Sequence, residues 1–407
     1  METFPDAVVI GGGPCGSFSA LNLAKNGVNV TVFEEHCEIG APSHCAGHLS
    51  IIGLKRLGLY PLPKEVIENI FYGAKFHSPN GAEFSVRFDS PITCVVNRTL
   101  FDKHIARLAE DSGAHYQLNS HVKSLIIDKA HVKGVNVQQN GKTFEVSAKI
   151  VVDAEGISSR LLKQTGLHTP RSDMIVYGFQ AEVENIKNIE PDFVEVFLGS
   201  AYAPGFYAWL IPKRDGKAKV GLATRKGNLK EFMRNLMHKH PAASLKLKKA
   251  KILRESLHPI TLGGPIPKAY SNGFLAVGDA ASQVKPTTGG GVIFGLNCAK
   301  IAAEVALKAL NKGDFSSKFL SAYQKSYMEI LGFDIKAMLI MRRMLDKISD
   351  KKLDDMIGFY RKISLDKAIK NFKEIDLQGQ AILKAGKNPR ILAALTYFFA
   401  SYLSANS

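Results

Sequence analysis

The sequence predicts a mixed architecture, α/β plus antiparallel β, closed by a helical C-terminal region. Three observations predict it. Ala7-Val8-Val9-Ile10 is an apolar, β-branched run that enters a glycine-rich turn, then a helix-like stretch from Ser17 to Asn26, then a second apolar run from Val28 to Phe33; that order reads as a parallel βαβ unit. Residues 66–95 and 175–265 contain alternating runs such as Phe84-x-Val86-x-Phe88 and Phe193-Val194-Glu195-Val196-Phe197, broken by Gly and Pro, the pattern of an antiparallel sheet. From about residue 315 the chain becomes Lys- and Met-rich, poor in glycine and helical in spacing. Its 407 residues, 45% hydrophobic and 22% charged, suit a folded protein of two or three domains and exclude a disordered, collagen-like or coiled-coil chain.

The first element carries chemistry. Between its strands lies Gly11-Gly12-Gly13-Pro14-Cys15-Gly16, and Glu34 closes the second strand. In a dinucleotide-binding βαβ unit Gly11 allows the tight turn, Gly13 lets backbone approach a pyrophosphate, and Gly16 lets helix and strand pack closely. Pro14 and Cys15 sit inside this fingerprint, Cys15 as a small filler. The helix N-terminus offers amide donors to the phosphates, and Glu34 can accept from ribose hydroxyls. This unit alone does not separate nicotinamide from flavin dinucleotides.

Later segments do. Val277-Gly278-Asp279-Ala280-Ala281 follows an apolar strand, Gly273 to Val277, and precedes Pro286-Thr287-Thr288-Gly289-Gly290-Gly291 and a helix; Val151-Val152-Asp153-Ala154-Glu155-Gly156-x-Ser158-Ser159-Arg160 and Asn97-Arg98-Thr99-x-Phe101-Asp102 lie between. In this order the segments resemble the motifs of the para-hydroxybenzoate-hydroxylase-like flavoproteins. The middle motif departs from the family, with Glu155 where Asp is usual. The resemblance implies FAD as cofactor, held in part by Ala154 and Gly156. It implies that Asp279 binds the ribityl chain and that Gly289, Gly290, Gly291 and Val292 aim a helix N-terminus at the flavin pyrimidine ring. It further assigns Arg98 to the FAD phosphates, and Glu35 and Val122 to the cofactor. The expected organisation is a discontinuous Rossmann-type FAD-binding domain (1–65, 96–174 and 266–314), a β-sheet substrate domain (66–95 and 175–265) and a C-terminal helical region (315–407).

Two local segments narrow the family. Gly40-Ala41-Pro42-Ser43-His44-Cys45-Ala46-Gly47 and Pro204-Gly205-Phe206-Tyr207-Ala208-Trp209-Leu210-Ile211-Pro212-Lys213 together look like the geranylgeranyl reductases, which saturate isoprenoid chains. In archaea these act on digeranylgeranylglycerophospholipids; in photosynthetic organisms, on chlorophyll side chains or their diphosphate precursor. The resemblance covers about residues 5 to 330 and maps the family's cysteine to Cys45 and its Tyr-x-Trp-x-x-Pro block to Tyr207, Trp209 and Pro212. Ile211 stands where the archaeal family often has a second aromatic. On this resemblance Cys45, Ala46 and Gly47 contact the cofactor, and Tyr207, Trp209 and Pro212 line an apolar pocket for the prenyl chain. An isolated alkene has no carbonyl to polarise, so its reduction needs hydride at one carbon and a proton at the other. Cys45 is a candidate proton donor or redox partner, and His44 the competing candidate.

Charge and termini complete the expectations. Lys+Arg 53 against Asp+Glu 37 gives +16, which favours anionic partners, here an anionic membrane surface. Lys230 to Lys251 reads as a basic helix-like segment, and residues 391–403 form an apolar stretch too short to span a bilayer, suited to packing on the body or lying in the interface. No apolar run reaches spanning length, and the N-terminus lacks a signal peptide's basic region, so the expected location is cytoplasmic with peripheral membrane contact. Cys37, Cys94 and Cys298 have no metal-ligand spacing, and no metal site is expected. The partners expected are an isoprenoid lipid and an external electron donor: NAD(P)H, a deazaflavin or ferredoxin. Two other functions compete: an FAD-dependent monooxygenase acting on an aromatic or terpenoid substrate, and a basic nucleic-acid-binding protein. For the latter no nucleic-acid-reading motif is present, so no specific nucleic acid is expected.

Overall fold

In the computed structural model, which describes residues 4–370 and 372–404, the chain divides into two units. The first comprises Met1–Ser43, Arg98–Met174 and Thr261–Ile335; the second comprises His44–Asn97, Ile175–Ile260 and Lys336–Ser407. The outermost expected boundaries, residues 1 and 407, lie outside the described residues.

The first unit is built on a six-stranded sheet in the order Tyr270–Ser271, Phe274–Ala276, Ile150–Asp153, Ala7–Ile10, Val30–Phe33, His115–Gln117. All pairings are parallel except the Tyr270–Ser271 edge. The strands Ala7–Ile10 and Ile150–Asp153 are buried at every position, as expected of a parallel sheet covered on both faces. The helix Pro14–Ala24 packs between the helices Arg98–Asp111 and Val292–Lys312. A three-stranded sheet of Ser120–Asp128, His131–Gln139 and Lys142–Ser147 completes the unit and is antiparallel throughout.

The first helix starts earlier than the spacing predicts, at Pro14 rather than Ser17, because Pro presets the first helical φ and its missing N–H has no partner to lose there. It ends before Asn26, where Gly27 turns left-handed at φ +76°. The following strand begins at Val30 rather than Val28, whose amide is used to close the helix-exit turn on Leu23 O.

The second unit carries a seven-stranded sheet ordered Lys251–Thr261, Ile175–Glu184, Ala218–Thr224, Ala208–Pro212, Phe193–Phe197, Gly73–His77, Glu83–Arg87. It is mixed rather than wholly antiparallel, because Phe193–Phe197 runs parallel to Gly73–His77. A parallel pair needs a long crossover, and the residues between these strands supply one. The helix Leu229–Lys239 covers the sheet, burying Met233, Leu236 and Met237 against Phe179, Leu210 and Val220. The predicted basic helix of 230–251 is cut at Pro241 and resumes only as the short turn Ser244–Leu247. Its Lys246 turns inward to Glu195, 3.0 Å away, whereas Lys248 and Lys249 face solvent.

The helix Pro389–Leu403 packs on this unit, burying Ile391, Ala394 and Phe398 in clusters shared with Phe84, Val86, Met356 and Ile357. Its opposite face exposes Leu392, Phe399 and Leu403. In the helix Ser317–Leu345, Met338 and Met344 are buried core residues.

Candidate functional site

The glycine turn of the first unit is tight where protein must pass and open where a ligand would lie. Gly11 has φ +91°, and a Cβ there would stand 2.5 Å from Ala154 O; at Gly16 it would stand 1.9 Å from Gly11 O. At Gly13 and Gly156 an added Cβ meets nothing within 4 Å. Two glycines thus serve packing while two leave backbone bare to open space, as a pyrophosphate requires. Pro14 begins the helix, and its N-cap, Gly13, adds no side chain to compete for the orphan amides.

Cys15 lies against two glycines of later segments. A Cβ at Gly278 would lie 2.9 Å, and one at Gly295 2.5 Å, from its Sγ, so the thiol occupies the gap those glycines leave. Burial, then the nearby Asp279 carboxylate, push its pKa up and keep it protonated.

Glu34 is 9% exposed. One oxygen accepts from Gly12 N at 2.7 Å, and the other accepts from His36 N at 3.0 Å and meets the His36 ring at 2.5 Å. Glu35 faces His121 Nδ1 at 2.9 Å beside the buried Val122. Arg98 makes a two-pronged pair with Asp102, Nε to Oδ1 at 3.0 Å and Nη2 to Oδ2 at 2.9 Å, which fixes the plane of its guanidinium. Burial holds the Asp102 carboxyl above its usual range despite Arg98.

The departure at Glu155 has a local explanation. Its carboxylate accepts from the backbone N–H groups of Arg160 (2.9 Å), Leu161 (2.8 Å) and Leu162 (3.1 Å), and from Ser158 Oγ (2.9 Å). It therefore caps the turn Arg160–Gln164, while Asp153 Oδ1 accepts from Glu155 N at 3.0 Å.

The loop after Phe274–Ala276 is held from below. Gly278 N donates to Gln283 Oε1 at 2.8 Å, Gln283 Nε2 to Tyr323 OH at 2.6 Å, and Tyr323 OH to Ala276 O at 2.9 Å. Neither Gln283 nor Tyr323 is singled out by the sequence motifs. Asp279 is half-buried, and a Cβ at Gly291 would be 3.0 Å from its Oδ1. Gly289 takes φ +70°, and the helix Val292–Lys312 begins after Gly291 without a side-chain cap. Its first amides are donors at the positive end of a 21-residue helix. The open backbone at Gly13, the Glu34 carboxylate and this uncapped helix fit the pyrophosphate, ribose and pyrimidine ends of FAD.

The remaining candidates belong to the second unit. His44 stacks on His258, ring centroids 5.4 Å apart and 7° from parallel. Cys45 is exposed, and its Sγ accepts from Gly47 N at 3.4 Å. Ala46 and Trp209 pack against the same apolar cluster of Phe71, Val95, Val194 and Ile211. Trp209 lies over Gly221, where an added Cβ would be 2.3 Å from the indole, and its Nε1 donates to Gln180 Oε1 at 3.3 Å. Tyr207 meets Trp209 edge-on at 6.0 Å and stacks on Phe206 at 4.3 Å; burial pushes its hydroxyl pKa up. Pro212 closes the strand Ala208–Pro212, its carbonyl accepting from Asn69 Nδ2 at 3.1 Å.

Known proteins resemble this chain along most of its length. The family model described as FAD binding domain matches residues 5–330. Digeranylgeranylglycerophospholipid reductase 2 of Methanopyrus kandleri is 32% identical over 395 residues, which cover 94% of this chain and 98% of that protein. Digeranylgeranylglycerophospholipid reductase of Methanosarcina acetivorans is 31% identical over 398 residues, 95% of each. The crystal structure of a geranylgeranyl bacteriochlorophyll reductase-like protein from Thermoplasma acidophilum superimposes with a TM-score of 0.85 at 26% identity, covering 97% of this chain and 99% of that one. The chain is an FAD-binding flavoprotein and belongs to the digeranylgeranylglycerophospholipid reductase family.

Proposed function

We propose that this protein saturates the C=C bonds of geranylgeranyl chains in digeranylgeranylglycerophospholipids of archaeal type. The observation that carries this reading is kinship along nearly the whole chain with reductases of that name. When bound and reduced, FAD would supply the hydride for one alkene carbon. The chain's own residues do the rest. Gly11, Gly13, Gly16, Glu34, Arg98, Asp279 and the start of the helix Val292–Lys312 hold and orient the cofactor. Cys45 gives its thiol proton to the second carbon, and His44, braced on His258, is the competing donor. Tyr207 and Trp209 form an aromatic wall for the prenyl chain, with Pro212 ending the strand that carries Trp209. The electrons come from an external donor: NAD(P)H, a deazaflavin or ferredoxin.

The lipid substrate implies work at a membrane surface. Among the described residues no helix is long and apolar enough to cross a membrane. The exposed Leu392, Phe399 and Leu403 of the helix Pro389–Leu403, with exposed Lys387 and Arg390 beside its start, give an apolar face edged with cations. Such a face suits anionic headgroups and the +16 net charge.

Reoxidation tests the proposal. Anaerobically reduced protein mixed with digeranylgeranyl phospholipid should regain the oxidised flavin absorbance, and mixed with the saturated lipid should not. Equal recovery with both would refute it.

A further inference from the structure

One peptide group links a buried cation to Cys45. Its carbonyl, Ala46 O, accepts a hydrogen bond from the Lys219 ammonium at 3.1 Å. Its N–H, on Gly47, donates to Cys45 Sγ at 3.4 Å. Lys219 is 7% exposed and also donates to Val96 O at 3.1 Å, while Val96 N donates to Gly47 O at 2.9 Å. The turn from Cys45 to Gly47 is thus pinned on both sides.

The surrounding charges fix the ammonium in place. Glu68 Oε2 lies 2.6 Å from Lys219, and Glu68 Oε1 lies 3.1 Å from Lys213. Lys213 in turn pairs with Glu182 at 2.8 Å and lies 3.8 Å from Asp215. A cation on an amide oxygen polarises the whole amide and strengthens the N–H as a donor. Here that donor points at sulfur.

We infer that Lys219 is a positioning residue that stabilises negative charge on Cys45 Sγ through the Ala46–Gly47 peptide. When the Cys45 S–H bond breaks and its proton goes to the alkene carbon, the electron pair stays on sulfur and the Gly47 N–H holds it. The exposed thiolate then regains a proton from water. Glu68 opposes Lys219 and sets the strength of the effect. The catalytic consequence rests on the reading of Cys45 as proton donor; the electrostatic link does not.

Alkylation tests the link apart from the reaction. The FAD-loaded protein carrying C37S, which removes the other exposed thiol, is treated with iodoacetamide at fixed near-neutral pH. The Cys45 peptide is followed by mass spectrometry. K219M should slow alkylation about threefold to tenfold, K219R should hold it within about twofold, and E68Q should accelerate it, since thiolate is the reactive form. A K219M protein alkylating at the parent rate, or an E68Q protein slowed like K219M, overturns the inference. A merely structural role would give both variants the same sign. If K219M does not fold, the E68Q rate decides alone. Should these shifts appear while C45S retains full lipid reduction, the link stands and the assignment of Cys45 as proton donor fails.

Discussion

Gly12 N donates to Glu34 Oε2 at 2.7 Å, so the carboxylate that ends the second strand also ties down the glycine turn after the first. Strand pairing makes this contact possible: Ile10 lies beside Phe33 in parallel register. The residues on either side of the turn therefore reach one point from 22 positions apart. The same carboxylate holds the His36 amide at 3.0 Å. On the proposal that Glu34 receives the ribose hydroxyls of FAD, these two contacts hold it in place beforehand and limit the ordering that cofactor binding must impose.

The contrast between open and crowded glycines yields a paired prediction. Gly13→Ala should leave the thermal midpoint of the FAD-free protein within about 2 °C of the parent and weaken FAD binding about tenfold or more, because its methyl enters space the protein leaves empty. Gly16→Ala should lower stability itself, by about 2 kcal/mol or more, because its methyl meets Gly11 O. Calorimetry with and without FAD reads both. Equal effects of the two substitutions would contradict the geometry.

Cys45→Ser should retain the flavin spectrum and lose most of the reduction rate, about a hundredfold, the size of one proton-transfer contribution. The measurement is single-turnover reoxidation of reduced protein by lipid. A variant at the parent rate would remove Cys45 from the reaction and leave His44 as the donor to test.

The exposed stripe of the helix Pro389–Leu403 predicts membrane contact. Leu392→Glu with Phe399→Glu should reduce co-sedimentation with anionic vesicles several-fold without lowering the melting temperature, since both side chains are at least 50% exposed. Binding equal to that of the parent would assign this helix to packing alone.

His240 predicts acid sensitivity. Burial, then the neighbouring His77, lower its pKa from the ordinary imidazole value to about 4, and its Nδ1 accepts from Ala242 N and Ala243 N at 3.2 Å each. The unfolded chain then binds the proton more readily than the folded one. Stability from this group is full above about pH 6.5 and is lost as pH falls toward 4, by roughly 2–3 kcal/mol. His240→Asn should flatten that part of the stability curve, measured by urea unfolding at successive pH values. An unchanged slope would show that His240 does not titrate there.

The parallel core and its glycine turn were legible because their determinants are local: β-branched runs, Gly spacing and an acid at a strand end. What sequence reasoning missed depends on distant strands meeting. Lys219 sits in a strand buried at every position, Ala218–Thr224, and a lysine inside such an apolar run was itself a signal. Its partners Ala46, Glu68 and Val96 come from separate stretches that no spacing rule connects. The departure at Glu155 has a reason that the motif does not carry, its longer side chain capping three backbone amides. The parallel pair inside the second sheet was missed because alternation reports which faces are buried, not strand direction.

The mass of the lipid product separates saturation from oxygen insertion. The protein is reduced anaerobically with dithionite, given a digeranylgeranyl phospholipid, and the lipid is weighed by mass spectrometry. A gain of about 2 mass units is expected for each double bond saturated. No gain under these conditions, with a gain of about 16 units when air and NADPH replace dithionite, would contradict it and make the protein an oxygen-inserting flavoenzyme.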